Sequence, residues 1–227
     1  LLFIYASFFL ILGIILQYSR INLLIAVLLS FTSAFSPVSV YQSLSYYVDG
    51  QMASMALILF GLIFLIIKSQ NERYLFVWIS AMVIFINLKF TGIAFTGLAC
   101  LCLLGFSLFS KNQRLFKKVF LAEIIGAVVA IFFVGFSPYV ENTFEKGHPF
   151  YPLGGREAKD ITSSLVPIEL TELKGFKRFA VSYFTLTNDG ERIYPRLPFI
   201  PNTSLGQFPR TYGDARVSGE GLFFMEI

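Results

Sequence analysis

Apolar residues run in six blocks along the first 136 positions, and short polar connections interrupt them. The blocks are Leu1 to Gln17, Ile21 to Pro37, Met52 to Ile67, Tyr74 to Leu88, Phe90 to Phe109 and Val119 to Phe136. A bilayer core about 30 Å thick asks for ~17–25 such residues per helix, so each block reads as a spanning helix with ends soft by a few residues. After Phe136 the pattern changes. Residues 137–227 are polar, Pro-rich and Gly-rich, with one helical stripe at Phe176, Phe179, Ala180, Tyr183 and Phe184, and Lys174, Lys177, Arg178 and Thr185 on the opposite side. That amphipathic stretch, Gly175 to Leu186, fits a helix lying in the membrane interface. From Thr187 to Ser218 little periodicity remains, and irregular loop is expected.

The expectation is an all-α, polytopic transmembrane helix bundle over 1–136, followed by an extracytoplasmic loop region over 137–227. Composition agrees with it: 56% of the 227 residues are hydrophobic, 27 are Phe, and the mean hydropathy is +0.69. A water-soluble domain of this size could not bury so much apolar surface. Leu1 to Gln17 lacks a basic leading segment and a small-residue cleavage site, so it reads as a span and not as a signal peptide. Leu1 at the start and the apolar residues from Gly221 to Ile227 read as cuts through a longer protein.

Charge orients the bundle. Arg20, Lys68, Arg73, Lys111, Arg114, Lys117 and Lys118 fall in alternate connections, and the remaining connections hold only Lys89. By the positive-inside rule the basic end is cytoplasmic, which places the Val38–Gln51 loop, the Lys89 turn and everything beyond Ser137 outside, in a multi-pass protein of the cell inner membrane. The net charge of +4 arises in the membrane half, where eight basic residues face Asp49, Glu72 and Glu123. It gives no reason to expect nucleic acid as a partner.

Candidate chemistry is sparse. Cys100 and Cys102 diverge by about 200° on a helix and cannot pair. One histidine, His148, does not support a Cys/His zinc site, and no nucleotide-binding, zinc-protease or serine-hydrolase motif is present. Glu123 is the one acid well inside a block, and a hydrogen bond to a neighbouring helix or a pair with Lys117 or Lys118 is its simplest role.

Two outer segments hold the rest. The first, Phe35 to Gln51, carries Tyr41, Tyr46 and Tyr47, rings suited to the headgroup layer, and Asp49 just before a helix begins. Asp49 there can cap the helix, can face an outer cavity and position a substrate hydroxyl, or can do both. In the second, Pro138, Pro149 and Pro152 stop the sixth helix and hold an extended aromatic segment at the rim, with Glu141, Asn142, His148 and Tyr151 as its polar groups. The alternative is a structural cap over the bundle. Gly154-Gly155 could form a phosphate nest, and Asn202-Thr203-Ser204 fits a glycosylation sequon, but both patterns are common by chance.

Three strings together, Ser45-Tyr-Tyr-Val-Asp-Gly-Gln-Met-Ala-Ser54, Asn87-Leu-Lys-Phe-Thr-Gly92 and Ser137-Pro-Tyr-Val-Glu-Asn-Thr-Phe-Glu-Lys-Gly-His-Pro-Phe-Tyr-Pro-Leu153, resemble the polytopic glycosyltransferases of the GT-C superfamily. The likeness is to the dolichyl-phosphate-mannose mannosyltransferase and aminoarabinose-transferase type and covers Phe35 to Leu153. It implies transfer of a sugar from a polyprenyl-phosphate donor to a glycan, lipid or protein acceptor on the outer face, in surface glycan or lipid assembly. Asp49 would match the acid that opens a helix beside the site, with Tyr46, Tyr47 and Gln51 around the substrate. Lys89 would meet the lipid phosphate, although snorkelling from a helix end is its other role. The principal acid of such enzymes, in the first outer loop, would lie before Leu1. No organic cofactor is implied, and a divalent metal stays open. A transporter or flippase of lipid-linked glycans, or a polysaccharide polymerase or ligase, would place the same residues in binding roles.

Overall fold

In a computed structural model the described residues form helices and one short hairpin. The structure describes residues 1–43, 48–110, 112–152, 154–155, 170, 172–183, 185–188 and 192–195. The helices are α1 (Leu2–Tyr18), α2 (Leu23–Ala34), α3 (Pro37–Ser43), α4 (Asp49–Ser69), α5 (Tyr74–Leu88), α6 (Gly92–Phe109) and α7 (Gln113–Val128). Beyond α7 the backbone widens into a π-helical stretch, Val129–Val134, breaks at Gly135, and resumes as a second π stretch, Phe136–Glu141, and α8 (Asn142–Lys146). Helix α9 (Gly175–Tyr183) and the antiparallel strands β1 (Thr185–Asn188) and β2 (Arg192–Pro195) complete the described residues.

Every apolar block contains a helix. α4 and α6, of 21 and 18 residues, are long and apolar enough to cross a bilayer, and α7 with its bent continuation makes a third if the two parts count as one span. α1, α2 and α5 are apolar but shorter. The core sits between α4, α5, α6 and α7, where Met55, Leu59, Leu62, Ile66, Trp78, Met82, Phe85, Leu103 and Val119 are buried. Small residues set the approach distances. At Gly61 of α4 a Cβ would lie 2.8 Å from Leu10 of α1, and at Gly126 of α7 it would lie 3.1 Å from Met82. The outward faces carry exposed Phe9, Phe76, Leu101 and Phe133, which suits hydrocarbon and not water.

Three expectations need correction. Residues 37–43 of the anticipated outer loop form a helix, because Pro37 supplies the fixed φ of a first helical turn and Ser36 meets it with an Oγ bond to the Ser39 amide at 3.0 Å. The segment after Phe136 is not extended as far as Lys146. Pro138 stands near the start of the resumed helix, where its missing N–H costs nothing, so it restarts a helix that Gly135 breaks, with a bend of 81°. The amphipathic helix ends at Tyr183, and Thr185–Asn188 pairs with Arg192–Pro195, so the region read as irregular from Thr187 begins as a hairpin. The Asp189-Gly190 dipeptide in the sequence between the strands was the hairpin signal passed over.

The α4–α5 and α6–α7 connections, both basic, lie together at one end. At the basic end Gln70 Oε1 accepts from Asn112 Nδ2 at 2.8 Å, and Glu72 pairs with Arg114 at 3.2 Å and with Lys118. The Lys118 hydrogen bond, helped by the charges of Arg114 and Lys118, holds the Glu72 carboxyl below its ordinary value of 4.5.

Candidate functional site

At the opposite end the last turn of α5 carries the architecture. The Ile86 carbonyl accepts from the Tyr139 hydroxyl at 2.6 Å. The Asn87 amide donates to Val83 O at 2.8 Å within its own helix and to Ala130 O at 3.1 Å across to the π stretch. Two residues on, Lys89 Nζ reaches Asp49 Oδ1 at 2.6 Å. One helix end therefore fixes the bent helix and the start of α4 together.

Local sequence explains each placement. Gly50 lets α3 lie on the first turn of α4, where a Cβ would come within 2.8 Å of Ser39 Cα. Asp49 opens that turn, with Val48 before it making no side-chain cap bond. The capping role is corrected accordingly: Asp49 sits inside the helix start, where its charge complements the helix dipole, and its carboxylate is spent on Lys89. Lys89 follows α5 in extended backbone at the negative end of that helix, and its carbonyl accepts from Gly92 N at 2.8 Å to turn the chain into α6. Lys89 is not a lone outer cation. Its side chain is 35% exposed and that of Asp49 53%, so the pair is open to solvent.

The residues after the bend form a second group. Tyr139 is buried with Ile86 and Ala130, and Phe150 packs edge-on to its ring at 6.4 Å. His148 Nδ1 accepts from the Phe150 amide at 3.1 Å, and the imidazole lies 5.6 Å from the Phe150 ring. Gly154 rests directly on the His148 ring, where a Cβ would clash with it, and Gly154 N donates to Phe150 O at 3.0 Å. Lys146 stands 5.7 Å over the Tyr151 ring. Asn142 Nδ2 donates back to Pro138 O at 2.9 Å, and Glu141 is exposed. Among the described residues, no hydrogen bond or ion pair joins Glu141, Asn142, His148 or Tyr151 to the Asp49–Lys89 pair. Gln51 is half-buried beside Asp49 in the first turn of α4, and Tyr46 and Tyr47 lie outside the described residues, as does the Asn202 sequon.

Asn87 and Tyr139 organise the corner, yet residue type alone did not single them out. The available signal was an amide two positions before the only outer lysine of the bundle, and a tyrosine directly after Pro138. Among the described residues no three His, Cys, Asp or Glu side chains gather as a metal site.

The chemistry open to the corner is recognition of an anion and a hydroxyl. Lys89 can meet a phosphate at membrane level, and Asp49, once released from Lys89, can accept a proton or hydrogen bond from an alcohol. Comparison of the chain with protein-family models, curated proteins and solved structures finds no match.

Proposed function

We propose that this chain is the membrane portion of a glycosyltransferase of the GT-C kind, a polytopic bundle of about six spans whose basic end faces the cytoplasm. Its donor is a sugar on a polyprenyl phosphate. Its acceptor is a glycan, lipid or protein on the outer face of the inner membrane, and residues 137–227 lie on that outer side. The observation that carries the reading is the half-exposed Asp49–Lys89 pair, which brings an acid and a cation from opposite ends of two helices to the rim away from the basic connections. A lipid phosphate arriving laterally competes with Asp49 for Lys89. That exchange frees the Asp49 carboxylate to orient or deprotonate the acceptor hydroxyl while the phosphate leaves the sugar. Asp49 is the catalytic candidate, and Lys89 binds donor. Tyr46, Tyr47 and Gln51 beside Asp49, and Glu141, Asn142, His148 and Tyr151 beyond the bend, are its substrate-binding candidates.

A second reading is a transporter or flippase of the same lipid-linked glycans. Buried Glu123 favours it. Among the described residues this acid does not pair with Lys118, which is held by Glu72, and its Oε1 has no partner, the kind of intramembrane polar group that marks transport pathways.

The test is Asp49→Asn in the full-length protein, assayed in membranes for transfer from a polyprenyl-phosphate sugar. Loss of transfer by at least the ~100-fold scale of general acid–base catalysis, with the protein still folded, is expected. Transfer at the wild-type rate would remove Asp49 from the site. A wild type that moves the donor across vesicles without transferring sugar would favour the second reading.

A further inference from the structure

Glu123 lies on the face of α7 turned into the bundle, and it is 8% exposed. The two helices packed most closely against α7 are α5 and α6, and neither carries a Lys, Arg or His. On α7 itself Arg114 and Lys118 are engaged by Glu72 near the basic end, and Lys117 stands six positions before Glu123, away from its inward face. The titratable group that does face Glu123 is Cys100 of α6, close enough to interact with its carboxyl group. Cys100 in turn donates through Sγ to Met82 Sδ of α5 at 3.9 Å.

Among the described residues, Oε1 of Glu123 has no hydrogen-bond partner and no cation faces it. A carboxylate would leave that oxygen charged, unsolvated and unpaired, whereas a neutral acid leaves no charge unmet. Burial and the lack of a facing cation agree.

We propose that Glu123 is a proton-binding site in the membrane interior, a neutral carboxylic acid held on the inward face of α7 opposite Cys100. The ligand is a proton. The site is separate from the outer corner and stands whether that corner transfers a sugar or only binds it.

Two measurements on the intact protein in phosphatidylcholine nanodiscs test this. Infrared spectra at neutral pH should show the carbonyl band of a protonated carboxylic acid that shifts in D2O. The band should vanish in Glu123→Gln, persist in Asp49→Asn and Glu72→Gln, and move in Cys100→Ala, which removes the side chain that faces it. In the second measurement, dicyclohexylcarbodiimide partitions into the apolar phase. The Glu123 O–H adds across one C=N bond to give an O-acylisourea, which rearranges to an N-acylurea with every atom retained. Peptide mass spectrometry of the wild type should find that adduct on Glu123, so the result does not depend on any variant folding. A band that survives Glu123→Gln, or a recovered Glu123 peptide without adduct, overturns the proposal.

Discussion

Lys89 and Asp49 come from positions forty residues apart and meet at 2.6 Å, yet both side chains remain open to solvent. An ion pair this exposed contributes little to folding, so a double-mutant cycle with Lys89→Met and Asp49→Asn should return a coupling energy under about 1 kcal/mol in thermal or chemical unfolding. In the proposed function the pair owes its value to what it can release. Asn87 and Tyr139 behave in the opposite way, because their bonds are internal and hold two chain segments together. Tyr139→Phe removes the hydroxyl that satisfies Ile86 O and should cost about 0.5–1.5 kcal/mol. The readout is the shift in the unfolding midpoint, and an unchanged midpoint would mean that water replaces the hydroxyl without loss. Asp49 and Lys89 could each be chosen from sequence by position next to apolar blocks. Their pairing could not, because no local pattern records which two helix ends meet across the bundle.

At the level of elements, the apolar blocks were legible because period and length both pointed the same way, and each block holds a helix. The short helix α3 and the bend after α7 were not, since both depend on where a proline falls within a turn and not on how many prolines a segment has. Pro138 read as a breaker, but it and Pro37 each stand near a helix start, where proline is tolerated. Gly135 is the true break. A Cβ there would come within 2.5 Å of Asn87 Oδ1 and 2.6 Å of both Ala130 O and Tyr139 Cδ2, and a backbone oxygen cannot step aside. Gly135→Ala should therefore open the bend and cost about 1–3 kcal/mol, the range for overfilling a packed site. A spin-label distance between the α4 start and α8 would lengthen in that variant, and an unaltered distance would show that the clamp absorbs the methyl group.

Across the whole molecule, the two ends divide their charge differently. The basic end is tied by Glu72, which bridges the α4–α5 connection to α7 through Arg114 and Lys118. Its folded-state carboxyl lies below the ordinary value, so its stabilising contribution is present above that value and is lost as pH falls through the lowered one. Acid titration should loosen this end in the wild type, and Glu72→Gln should weaken it at neutral pH while flattening the acid dependence; an identical acid profile for both proteins would exclude Glu72 as the tie. The charge asymmetry between the two sets of connections could be read from lysine and arginine alone, because it is a property of many residues at once. The outer corner could not, because it depends on a count of residues along one helix. On each side of Gly135 the chain runs in π geometry, with Gly135 N donating five residues back to Ala130 O at 2.8 Å. Such turns hold more residues than an α-turn does. Closing that stretch into ordinary α-helix with every residue kept would swing all that follows by about 100° around the axis, and removing one residue as it closes would offset the swing. The seating of Tyr139 under Ile86, and with it the aim of His148 and Phe150, is thus indexed by a surplus residue: rewinding the turn without removing it would spare every named side chain and still point the segment beyond the bend in a different direction.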